Sequence, residues 1–217
     1  PKNTQSIRLW RPVFVVLCIA MAIGGFSYRG NTVVFPALFD ARVSTFSHGL
    51  ATTLAYSAGI LMNVVGGYMA ERWPFERVYW LLHCLSLPFL IATAWLTDGS
   101  LVLCASLYAA CAIGMQPAEN SLVAQLSPNH LRGLAFGLKF TMVFGVGALA
   151  VPLVSAVMEA DGFTAIQLWL SGSVFVLVGV VTILVQGFSP KDVAAVSESV
   201  NISMVSTKAR SDTGLDK

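Results

Sequence analysis

Long apolar blocks separated by short polar links organise this chain. A helix that crosses a hydrocarbon core takes about 20 predominantly apolar residues. Six blocks are long enough: residues 11–39, 48–70, 77–96, 100–126, 132–158 and 163–187. They are too long for strands and lack the period-2 alternation of a membrane barrel. Helices joined by short links satisfy every backbone group in lipid, so the pattern predicts an all-α membrane protein with six transmembrane helices. Residues 1–10 precede the first span, 11–188 form the bundle, and 189–217 read as a disordered, solvated tail.

Within this pattern, blocks one and four stand out. "GGFSYRGNTVVFPALF" carries Gly24, Gly25, Gly30 and Pro36, with a charge at Arg29. It is longer than a straight crossing needs, so a tilted or broken helix is expected. Block four holds Gly114, Pro117 and Glu119. The two are equivalent positions if the helices form two three-helix repeats in opposite orientation.

Composition supports the membrane reading. Hydrophobic residues are 56% and charged residues 11% of the chain, against about 45–50% and about 25% in soluble domains. A net charge of +2 gives no case for nucleic acid as a partner, and the aromatics lack interleaved basic residues. Cys18, Cys84, Cys104 and Cys111 lie inside apolar blocks without metal-ligand or disulfide spacing. They read as small packing residues. No cofactor or metal is expected. The chain opens on Pro1 without a signal-peptide pattern, which suggests a fragment or processed piece.

Basic residues set the orientation. With a cytoplasmic N-terminus, the inside segments hold Arg8, Arg11, Arg72, Arg77, Arg132, Lys191 and Lys208, among others. The acids Asp40, Asp98, Glu159 and Asp161 fall outside. This bias predicts a multi-pass cell-membrane protein with both termini cytoplasmic. The link "GGYMAERWPFERV" is then a cytoplasmic hairpin that concentrates Glu71, Arg72, Glu76 and Arg77.

Ionisable groups within membrane helices are functional candidates by default. Arg29 lies roughly 27 Å along its helix from the cytoplasmic end. It either holds a carboxylate or phosphate in a cavity or snorkels to the outer headgroups. Tyr28 beside it is a second candidate for substrate contact. Gln116, Glu119 and Asn120 are expected on one polar helix face. That stripe is a substrate or proton site, or Glu119 is an ion-pair partner of Arg72, Arg77 or Lys139. Lys139, in line with Arg132, is expected to snorkel. His83 reads as a packed imidazole.

The hairpin resembles the cytoplasmic signature of the major facilitator superfamily, G-x-x-x-D-R-x-G-R-R. Gly67, Glu71 and Arg72 match. Pro74 stands for the second glycine, Phe75 and Glu76 replace two basic residues, and Arg77 follows. "QPAENSLVAQLSPNHLRGLAFGLKFTMVFGVGALAVPLVSAVMEADG" is similar to helices ten and eleven, through Ser127-Pro128, Arg132-Gly133 and the glycine run ending at Pro152. Together they resemble the carboxy-terminal six helices of a twelve-helix permease. The resemblance implies alternating-access transport of a small-molecule substrate, such as an organic anion or drug, with proton coupling open. It also implies a partner half of six amino-terminal helices absent from this chain. Glu71 would meet that half, and Arg72 or Arg77 would pair with Glu119, with Gly67, Arg132 and Lys139 in the same gating set. An intramembrane enzyme is disfavoured: no G-x-S-x-G stretch occurs, and the aspartates at the outer loops do not form a helix pair. The competing class is a non-transporting membrane subunit or sensor.

Overall fold

A computed structural model of the chain describes residues 2–127 and 131–187, with side chains from Val13 to Gln186. Every element among the described residues is helical. The tail assigned to 189–217, and Pro128 of the Ser127-Pro128 turn, lie outside them.

The first helix, α1, runs unbroken from Lys2 to Arg42. The expected break is absent, because its glycines serve contact rather than bending. A Cβ at Gly25 would fall 2.5 Å from the Val143 carbonyl oxygen, and one at Gly30 would fall 2.6 Å from Leu170 Cδ2. Its apolar part, Val13–Arg42, is 30 residues long. That is about 45 Å of helix, more than a hydrocarbon core of about 30 Å, so it tilts or projects.

Helix α2, His48–Arg72, opens at Ser47, whose side chain accepts from the Leu50 N–H. It stops because Trp73 precedes Pro74 and is held extended, with φ −122° and ψ 155°. Helix α3, Phe75–Ala92, follows at once. Block four divides into α4, Asp98–Gly114, and α5, Gln116–Gln125, at Met115. Pro117 lacks the N–H that would bond the Ile113 carbonyl. The Asn63 side chain of α2 donates to that carbonyl instead, at 3.1 Å. A neighbouring helix thus satisfies a backbone group freed by proline.

The last stretch comprises α6, Arg132–Phe140, a π-helical turn, Thr141–Val146, and α7, Gly147–Gly187. Gly162 interrupts α7 with φ 80° and ψ −176°, a conformation open essentially to glycine alone. The chain doubles back there. Val154 and Leu170 both approach the same point beside Gly30, at 3.3 and 2.6 Å from its would-be Cβ. In a straight helix they would stand about 24 Å apart.

Among the described residues five helices are long and apolar enough to cross a membrane, the last being the 55-residue run Arg132–Gln186 that contains the reversal. Two apolar cores stabilise the bundle. One, near the hairpin end, gathers Leu17, Val78, Tyr79, Leu122 and Val181; the other gathers Phe35, Phe39, Leu90, Leu101 and Leu170. Outward, large apolar side chains such as Val64 and Phe175 are exposed. Hydroxyls on the helices mostly return to their own backbone, as Thr52 does to His48 and Ser171 to Gln167. Apolar exposure with internal polar satisfaction is what a lipid solvent selects.

Candidate functional site

The hairpin exposes three of its four charges, Glu71, Arg72 and Arg77. Gly66, not Gly67, makes the tight contact: a Cβ there would collide with the Gly114 carbonyl of α4. A Cβ at Gly67 would meet only Pro117, at 4.0 Å. Glu71 is exposed. The Arg72 guanidinium lies 4.4 Å from the centroid of the Tyr68 ring, a cation–π contact. Arg77 is exposed beside Trp80, while Glu76, one position earlier, is buried. Neither arginine reaches Glu119.

Glu119 instead pairs with Lys139 at 2.6 Å. Their side chains are 5% and 6% exposed. Lys139 also donates to the Asn120 side-chain oxygen. Lys139 therefore does not snorkel. Its position on α6 directs it inward to α5, where a carboxylate compensates the buried ammonium better than a distant interface could. Tyr79 of α3, fully buried, lies within electrostatic reach of Glu119. Its ring meets His83 edge-on, centroids 4.6 Å apart. Of the polar face expected on α5, Glu119 and Asn120 meet at Lys139, the first buried and the second exposed, while Gln116 is exposed. Arg132 turns back to the Ala124 carbonyl at 3.3 Å, near the end of α5. This bond satisfies a terminal helix carbonyl rather than joining an ion-pair network.

Tyr28 and Arg29 are neighbours in sequence but face different elements. Arg29 is exposed, and its Cβ lies near Gly147, where α1 crosses the start of α7. No acid pairs with it among the described residues. Tyr28, half-buried, turns towards Tyr56 of α2 and Tyr108 of α4.

Beside Tyr28 lies a polar group that sequence reasoning missed. Asn31 donates to the Ser27 carbonyl at 2.9 Å and to the Tyr108 hydroxyl at 3.1 Å. Ser27, Asn31 and Tyr108 are all buried. The available signal was the i, i+4 spacing of Ser27 and Asn31 on one face of an apolar helix. At the opposite end from the hairpin, Arg42 donates to the Ala94 carbonyl at 2.8 Å and to Thr164 at 3.0 Å. Asp98 accepts from the Ser44 N–H and hydroxyl. These contacts tie the end of α1 to the α3–α4 turn and the second arm of α7, and the α1–α2 link to the start of α4.

No curated protein matches the chain. The family described as Major Facilitator Superfamily matches residues 10–209. That match takes in every described span, the hairpin, the Glu119–Lys139 pair and Arg29 alike. This multi-pass membrane protein, with its long apolar helices and short charged links, belongs to the major facilitator superfamily, a family of transporters.

Proposed function

We propose that the chain forms the carboxy-terminal six-helix half, helices seven to twelve, of a permease that carries a small organic anion by alternating access. In this reading α7 crosses the membrane twice, turning at Gly162, and an amino-terminal half completes the solute path. The hairpin lies at the cytoplasmic end, and both termini share that side.

One observation carries the substrate assignment. Arg29 is an exposed cation near the middle of the 30-residue span Val13–Arg42, with no carboxylate paired to it among the described residues. A lone guanidinium at that depth is costly in lipid and is tolerated facing a wet cavity. Its planar donor set suits a carboxylate or phosphate. Glu119, by contrast, is held by Lys139, so we assign it to the rigidity of this half rather than to the solute. Glu71 is an exposed hairpin carboxylate with no ion pair among the described residues, and we assign it to a contact with the other half.

Uptake into proteoliposomes by the complete transporter, tested with a panel of organic anions, checks both roles. Arg29→Ala should abolish uptake of the anions that the unaltered protein carries, and Arg29→Lys should weaken it. Glu71→Gln should slow uptake while leaving outward-side binding intact. Normal anion uptake by Arg29→Ala would end the substrate assignment, and unchanged rates in Glu71→Gln would end the latch.

A further inference from the structure

A groove of about 460 Å³ opens between the start of α3 and the end of α7. Trp73 and Arg77 stand at its mouth on one side, and Gln186 on the other. Its floor is Trp80, fixed by an indole N–H bond of 2.9 Å to Thr182 across the two helices. Leu81, four positions after Arg77, lies a turn further in on α3, and Val185 lines the groove beside Gln186 on α7.

The groove is mostly apolar. Along α3 it passes from Arg77 in the first turn to Trp80 and Leu81 a turn further in, and Thr182, Val185 and Gln186 face them from α7. Trp side chains favour the headgroup level of a bilayer, where an apolar ring and an N–H are both accommodated. Arg77 is exposed and forms no ion pair among the described residues. The neighbouring arginine, Arg72, is occupied by Tyr68. The available cation therefore borders an apolar slot at the depth where lipid phosphates lie.

We propose that this groove binds an anionic phospholipid, with its phosphate on Arg77 and an acyl chain along Trp80, Leu81 and Val185. The largely apolar lining beside one cation favours a phospholipid over a soluble anion, because a free phosphate makes no use of the apolar part. It also favours a net-negative headgroup, because no carboxylate among the described residues lines the groove to receive a choline or ammonium group. The site is independent of the solute path: Arg29 lies on α1 and does not line it.

Native mass spectrometry of the full chain, purified in detergent and stripped of lipid, tests this. Dioleoylphosphatidylglycerol, dioleoylphosphatidylcholine and inorganic phosphate are the probes. The unaltered protein should prefer phosphatidylglycerol by about fivefold, the effect of one basic residue at a membrane surface. Arg77→Gln should reduce that preference to none, and Arg77→Lys should keep most of it. Leu81→Trp, which fills the slot, should weaken both lipids. Thermal melting of each variant separates loss of fold from loss of binding; should Arg77→Gln fail to fold, Leu81→Trp carries the test, and lipid binding unchanged in that variant overturns the proposal. The proposal is overturned if Arg77→Gln keeps the preference, if both lipids bind the unaltered protein equally, or if millimolar phosphate displaces the lipid.

Discussion

Lys139→Met isolates the energetics of the buried pair. The substitution keeps the length and apolar stem of the side chain and removes only the ammonium. Glu119 would then be left about as enclosed as before, with a side chain 5% exposed and no other cation paired to it. Removing one member of a buried pair costs about 3–5 kcal/mol, because the remaining charge is desolvated without compensation. Glu119→Gln should cost less. It strands Lys139, but that residue lies two turns from the start of α6, roughly 10 Å along the axis. A four-carbon stem can carry its ammonium much of that way to the interface. The double variant, Lys139→Met with Glu119→Gln, removes both charges and should lie within about 1 kcal/mol of the unaltered protein.

Reversible unfolding in mixed micelles, followed by tryptophan fluorescence, gives the four free energies of the cycle. The reasoning requires an ordering: Lys139→Met worst, Glu119→Gln intermediate, the double variant nearly restored. A coupling below about 0.5 kcal/mol would match independent sites. That result, or equal penalties for the two single variants, would refute the buried-pair account.

Two further outcomes follow from backbone geometry. Gly66→Ala should destabilise the protein by about 1–3 kcal/mol, since its methyl collides with the Gly114 carbonyl and α2 must shift from α4, whereas Gly67→Ala should be nearly silent in the same melting assay. Gly162→Ala should cost about 1–3 kcal/mol by forcing a Cβ into a glycine-only conformation; because nothing lies within 4 Å of that position, melting as stable as the unaltered protein would show that the reversal does not need φ near 80°.

The spans were legible because a helix in lipid must bury its own backbone groups, and block length alone reports that. Blocks two and four coincide with α2 and α4–α5 to within a few residues. Partners were less legible, because they depend on helix rotation and crossing, which apolar blocks do not encode. Lys139 illustrates the limit. Its sequence distance from the interface suits snorkelling, yet the rotation of α6 turns it to Glu119. Gly66 and Gly67 are adjacent and chemically identical, and only the crossing with α4 decides which cannot be enlarged. Pro117 and Asn63 were each visible, but their link exists because α2 runs beside the carbonyl that the proline frees.

The hairpin carries this distinction into function. Its charges looked like one network, in which the resemblance assigned Arg72 or Arg77 to Glu119 and Glu71 to the missing half. In the folded chain they separate. Arg72 lies on Tyr68, Arg77 borders the groove with Trp80, and Glu71 is exposed without an ion pair. Glu119 meets its needs within its own half through Lys139. A pair formed inside one half persists while that half moves as a body, so it cannot by itself report which side of the membrane is open. A conformational latch requires a charge whose partner changes between states. Among the described residues Glu71 and Arg77 are exposed hairpin charges without an ion pair, and in the proposed reading Glu71 takes the latch role with a partner outside this bundle.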